Sequence, residues 1–266
     1  MRRDLKPGPG REAALVACLH LRPLPGSPRW EGDLDAVVER ALAEARLYAG
    51  AGVDGMILEN THDVPYENRG PGPATVAAMA RAAAEVRRVY SGPLGIQVLA
   101  GANRAALEIA VAADLDFIRA EGFVYGHVAD EGWIDADAPA LLRRRAELDA
   151  NHVEVWADVK KKHASHAVTA DLSLRETAEG AVFFDVDGIV ITGSATGRAT
   201  SLDDVRAVRD LPVRTVVGSG VDTENARALA KAADVLIVGS SLKTGGDWRG
   251  EVERERVEAL LRTLDD

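Results

Sequence analysis

The segment ADVKKKHASHA, residues 157–167, gathers one carboxylate, three lysines and two imidazoles just after an apolar run, HVEVW. A carboxylate beside a lysine holds the lysine charged or, in a drier setting, tunes one of the pair toward proton transfer. A lysine depressed by burial and by cationic neighbours can also form a Schiff base. Side chains alternate along a strand, so Asp158, Lys160 and Lys162 share a direction if the extended run continues, and His163 takes the other. Asp158, Lys162 and His163 are therefore catalytic candidates, Lys160 a substrate contact, and Lys161 a solvated charge. Glu59 and Asn60 close the apolar run GMIL. A carboxylate buried there without a partner is costly, so Glu59 joins the catalytic set and Asn60 the substrate contacts. His20, Arg119 and Glu121 also end apolar runs and are read as substrate contacts. No HxH or HExxH spacing ties Glu59, Asp158 and His163 into a metal site, so neither metal nor cofactor is expected. Cys18, inside ALVACLHL, reads as a buried inert thiol.

A second group of residues points to an anion. VVGSGVDTENARAL runs from an apolar stretch through Gly218, Ser219 and Gly220 into a helix, and IVGSSLKTGG repeats the turn with Gly239, Ser240 and Ser241. ITGSATGR supplies Gly193 and Ser194 one position earlier in the series. Glycines let backbone N–H groups approach an anion, and helix N-termini add partial positive charge. These eight residues are phosphate-binding candidates, with Lys243 or Arg198 as charge partners.

Such residues need a scaffold that brings distant segments to one place. Short β-rich runs at 14–21, 54–60, 94–100, 116–122, 153–159, 188–194, 214–220 and 235–241 alternate with Ala/Arg/Glu-rich helical patterns. Parallel neighbours require helical crossovers, and eight repeats favour an α/β barrel of the (β/α)8, or TIM, type over an open sheet. Three runs, in GVDGMILEN, VDGIVITGS and ADVLIVGSS, are each entered through an acidic residue. Long polar or Gly/Pro-rich segments follow the first, second, fourth and fifth strands, all on the strand-to-helix side, where barrel sites are built. The barrel is expected over about 14–264 as one domain, with residues 1–12 a flexible lead-in.

Composition sets the outer bounds. The chain has 266 residues, of which 47% are apolar, and a net charge of −10, which disfavours nucleic acid or an anionic membrane as partner. One cysteine excludes an internal disulfide. The start carries no apolar signal segment, and the run AALVACLHL falls well short of the roughly 20 residues that span a bilayer. A soluble cytoplasmic protein without a transmembrane segment is expected, and self-association is left open.

ACLHLRPLPGSPRW, GVDGMILENTHDVPY, ADVKKKHA, VITGSATG and VGSGVDTENARAL together resemble the BtpA family, over about Leu15 to Lys243. The resemblance implies a TIM barrel close to the phosphate-binding barrels, and it adds Thr192 to the substrate contacts. The family's name implies a role in photosystem I biogenesis. Two segments depart from the family pattern: LAGANR, where relatives have a polar turn, and Lys160, where they often have histidine. The leading expectation is acid/base chemistry on a phosphorylated sugar or nucleotide-like metabolite. The reaction is either isomerisation at a carbonyl or exchange at an anomeric C–N bond. The alternative is a non-catalytic assembly factor that binds a protein through the rim.

Overall fold

The computed structural model describes residues 3–193 and 200–265. The first four barrel strands are β1 (Ala14–His20), β2 (Gly55–Glu59), β3 (Leu94–Gln97) and β4 (Phe117–Ala120). Two short strands follow, β5 (His127–Ala129) and β6 (Gly132–Ile134). β7 (Glu154–Val159) returns to the barrel, and β8 (Ala164–Ser165) again leaves it. β9 (Gly188–Ile191), β10 (Arg214–Val217) and β11 (Val235–Val238) complete the wall. Parallel pairing closes the ring in the order β1-β2-β3-β4-β7-β9-β10-β11, as the alternation of the sequence predicts.

Helices lie between successive barrel strands: α1 (Leu34–Ala51), α2 (Pro73–Val89), α3 (Asn103–Ala112) and α4 (Ala138–Glu147) in the first half. α5 (Leu174–Phe183), α6 (Leu202–Arg206), α7 (Ala226–Ala230) and α8 (Arg254–Asp265) follow. Local chemistry sets their ends. Asp33 caps α1 and Gly52 ends it in the left-handed region at φ 89°. Ser173 and Glu176 form a reciprocal capping box at the start of α5.

Both faces of the wall are covered, which is why its strands read as nearly unbroken apolar runs. On β1, Leu15, Ala17 and Leu19 pack outward with Tyr48 and Met79 of the helix layer. Val16 and Cys18 point inward with Ile57, Val190, Val216 and Ile237. The interior is plugged by Phe117 stacked on Trp156, ring centroids 3.9 Å apart. Leu5 joins this inner cluster, and the Arg3 amide donates to Asp116 Oδ1 at 2.9 Å. Arg3 and Leu5, in the segment read from sequence as a flexible lead-in, thus make contacts at the barrel floor.

The acidic residues before the strands have a shared structural task. Asp54 Oδ2 accepts from the Leu15 amide at 2.8 Å, Asp187 Oδ2 from Val155 at 2.9 Å and Asp234 Oδ2 from Thr215 at 2.8 Å. Asp116, a fourth case not singled out in the sequence, accepts from the Leu94 amide at 3.0 Å. Each aspartate also donates its own amide to the carbonyl of the residue it clasps. An arginine backs each carboxylate: Arg11, Arg87, Arg145 and Arg209.

The long segments after β4 and β7, read from sequence as loops, pair with each other. β5 lies antiparallel to both β6 and β8 in a three-stranded sheet beside the mouth. Strands of two or three residues are too short to show an alternation, so sequence periodicity misses them.

Gly95 shows how tightly the interior is filled: a Cβ there would come within 2.2 Å of Phe117 Cε2. Gly95→Ala should therefore cost at least about 1–3 kcal/mol of stability in urea unfolding. An unchanged midpoint would contradict this packing.

Candidate functional site

The C-terminal ends of the barrel strands surround a cavity of about 650 Å³. His20 ends β1 and Glu59 ends β2, and the two are partners in the parallel register. Both are less than a tenth exposed. Arg119 enters from β4 and is the electrostatic hub. Its Nε and Nη2 each donate to an Asp158 carboxylate oxygen at 2.8 Å, a bidentate pair in the barrel interior. Its Nη1 reaches the Gly218 carbonyl at 3.3 Å and stands 3.6 Å from Glu59 Oε1.

This geometry sorts the candidates. Glu59, Lys162, His163, His20, Arg119 and Glu121 all line the cavity. So do Gly218, Ser219, Gly220, Gly239, Ser240 and Ser241 on the other wall. Asp158 stands behind Arg119, its carboxyl 1% exposed, so it positions the guanidinium instead of meeting a guest. Lys160 is a correction. The chain leaves the strand at Val159, Lys160 turns to φ 50°, and its Nζ donates to the Leu172 carbonyl at 2.5 Å, away from the cavity. That turn ends the alternation, so Asp158, Lys160 and Lys162 do not share a direction. Lys161, read as a solvated charge, is buried instead and lies 3.5 Å from both Glu121 and Glu131.

Asn60 also serves the wall. Its amide donates to Asp63 at 3.0 Å and its oxygen accepts from the Leu99 amide at 2.8 Å. The Gly193 amide is taken by the Ser219 hydroxyl at 3.2 Å, and Thr192 packs beside Gly218. Ser194 and Arg198 lie outside the described residues. Lys243 is buried, its Nζ donating to the Trp248 carbonyl at 3.2 Å. Among the tryptophans, Trp133 is half exposed, Trp30 packs against the core, and Trp248 lines the cavity beside His62.

Burial tunes the titratable groups. It raises the Glu59 carboxyl above the ordinary range, against the opposing pull of Arg119 and Lys162. Burial lowers Lys162, and Arg119 adds to the shift. His20 falls well below the usual imidazole value through burial and the nearby Lys243, which keeps its ring neutral. The glycines have steric reasons. Gly220 sits at φ 71°, and a Cβ on Gly239 would come 2.8 Å from His20 Nε2. Cys18 also faces the cavity, which the inert-thiol reading did not foresee. The signal was its position two residues before His20 on an inward-facing strand.

Comparison with known proteins adds a family and a fold. The family model described as BtpA family matches residues 11–266. A photosystem I biogenesis protein BtpA from Synechocystis sp. is 37% identical, covering 94% of this chain and 87% of its own. An uncharacterized mitochondrial protein of Caenorhabditis elegans is 43% identical over 92% of this chain and 90% of its own. Thiamine phosphate pyrophosphorylase from Pyrococcus furiosus superposes with a TM-score of 0.59 at 15% identity, over 97% of this chain and 98% of that one. Orotidine 5'-phosphate decarboxylase from Pyrococcus horikoshii gives 0.57 at 14% identity, over 95% and 98%. At such identities the likeness establishes the barrel fold alone. No helix among the described residues is long and apolar enough to cross a membrane.

Two measurements check this electrostatic picture. Asp158→Ala strands the buried Arg119 charge and should cost about 3–5 kcal/mol in denaturant unfolding; a cost under 1 kcal/mol would contradict the pairing. His62 is pushed down to about 4, first by burial and then by Arg22. The unfolded ring takes up its proton more readily, so this stabilising contribution is complete above pH 6.5 and is lost as pH falls toward 4. Wild type should lose on the order of 1 kcal/mol more than His62→Asn across that window, after allowance for solvent screening. Parallel stability–pH curves would refute it.

Proposed function

The chain belongs to the BtpA family, and from that premise and the geometry of its barrel mouth we propose that it is an enzyme acting on a phosphorylated sugar or nucleotide-like metabolite. One observation carries the reading. The glycine turns after β10 and β11 and the acid/base group of Glu59 and Lys162 line the same cavity. Backbone donors at Ser219, Gly220, Ser240 and Ser241 hold the phosphate, in the position that barrels commonly use for it. The sugar then lies toward β1, β2 and β4, its reacting carbon between Glu59 and Lys162. Glu59, raised by burial, accepts a proton more readily than an ordinary carboxylate, and Lys162, lowered by burial, gives one up more readily than an ordinary lysine. Arg119, held by Asp158, offers fixed positive charge to an oxygen that gains electron density. Isomerisation at a sugar carbonyl and transfer at an anomeric C–N bond both use this set. Fold neighbours named for thiamine phosphate and orotidine 5'-phosphate agree with the reading at the level of fold analogy.

A second reading has its own support. The Synechocystis relative is named for photosystem I biogenesis, and the added sheet exposes Val128 opposite Trp133, 45% and 50% accessible. In that reading the mouth-side sheet docks a protein partner.

Thermal denaturation separates the two. A sugar phosphate or nucleoside monophosphate at a hundredfold its dissociation constant should raise Tm by about 5 °C. Ser240→Asp, which sets a carboxylate against the phosphate, should weaken that ligand at least about tenfold. Absence of any shift across a broad phosphate panel, together with a co-purifying protein, would replace the enzymatic reading with the docking one.

A further inference from the structure

Among the described residues, Cys18, His20 and Glu59 bring one ligating atom each to within 4.8 Å of the others. Cys18 and His20 stand two apart on β1, and Glu59 is the register partner of His20 on β2. Cys18 Sγ is 3.9 Å from Glu59 Oε1, and His20 Nε2 is 3.8 Å from Glu59 Oε2. The three residues are 4%, 8% and 7% exposed, so they are shielded from water yet border the cavity. The other ring nitrogen of His20, Nδ1, lies 3.4 Å from the Trp248 carbonyl. An Nδ1–H directed at a backbone carbonyl leaves the Nε2 lone pair facing the thiol and the carboxylate. That outer contact is the one that orients a metal-ligating imidazole.

We propose that Cys18 Sγ, His20 Nε2 and a Glu59 carboxylate oxygen bind a divalent ion of the zinc class at the cavity floor. A thiolate, an imidazole and a carboxylate form a borderline-soft set that suits zinc over magnesium or calcium. Tetrahedral bonds of about 2.0–2.3 Å set ligand atoms roughly 3.3–3.8 Å apart. The separations of 3.8 and 3.9 Å run to the two different oxygens of Glu59, and the whole set lies within 4.8 Å, so binding draws the ligand atoms together by up to about 1–1.5 Å. Charge also balances. Binding releases the thiol proton to solvent, and thiolate plus carboxylate neutralise the ion. The nearby Arg119 is already matched by Asp158. Three protein ligands leave a fourth position turned to the cavity, where an ion polarises a substrate oxygen or ionises a bound water. With an ion bound, Glu59 would act as ligand in place of the proton-accepting role proposed above, which would pass to a water on the ion, and Lys162 would remain the donor.

The proposal stands apart from the phosphate reading, and its test contains no phosphate. Chelator-treated protein is titrated with cobalt(II), which takes zinc's tetrahedral geometry and absorbs light. A thiolate-to-cobalt charge-transfer band in the near ultraviolet should saturate at one equivalent and vanish when zinc is added. Cys18 is the sole cysteine, so the band can come from no other residue. Cys18→Ser should erase it, and His20→Ala and Glu59→Gln should each weaken cobalt binding at least about tenfold, with far-ultraviolet circular dichroism unchanged. No band in the wild type overturns the site without recourse to any variant. A band of unchanged affinity in both His20→Ala and Glu59→Gln overturns the three-ligand set.

Discussion

Register is the constraint on which the molecule rests. In a strand the side-chain period is two, so a slip of one residue exchanges the interior for the exterior. The aspartates at the floor prevent that slip. Each closes a two-bond ring with a neighbouring strand, amide to carbonyl and amide to carboxylate, and an arginine holds the carboxylate in place. With β1 and β2 locked through Asp54, His20 must face Glu59 five residues further on. The geometry of the mouth is thus a consequence of hydrogen bonds made at the opposite end of the barrel.

At the mouth the governing problem is the burial of charge. A lone guanidinium among the apolar plug residues would be untenable, and the bidentate Asp158 resolves it. Arg119 then turns an Nη1–H to the Gly218 carbonyl, at the beginning of the glycine turn, and stays close to Glu59. One side chain so connects the middle of the chain with its last quarter. The wall formed by the glycine turn and the wall that carries Glu59 are mechanically joined through it.

Much of this was legible in the sequence, for identifiable reasons. The alternation of apolar runs and helical patterns, with elaboration on one rim, yields the eight-stranded barrel. Strand-end position singled out Glu59, His20 and Arg119 because inward-facing polar groups interrupt apolar runs. The lysine segment was harder. Its alternation holds only to Val159, and the left-handed turn at Lys160 redirects everything after it. That turn sends Lys161 to the buried acids and Lys160 to Leu172. No local propensity marks such a turn in a run of three lysines. The added sheet escaped notice because its pairing partners are far apart in the chain and only two or three residues long. Cys18 looked inert because its neighbours are apolar; its relation to Glu59 exists only across strands.

The clasps at the floor also divide the molecule in an uneven way. They join β1 to β2, β3 to β4, β7 to β9 and β10 to β11, and each of the four backing arginines precedes the first strand of its pair. The eightfold wall is therefore also a ring of four like quarters, each two strands with their helices, stitched by the same acid–base pair.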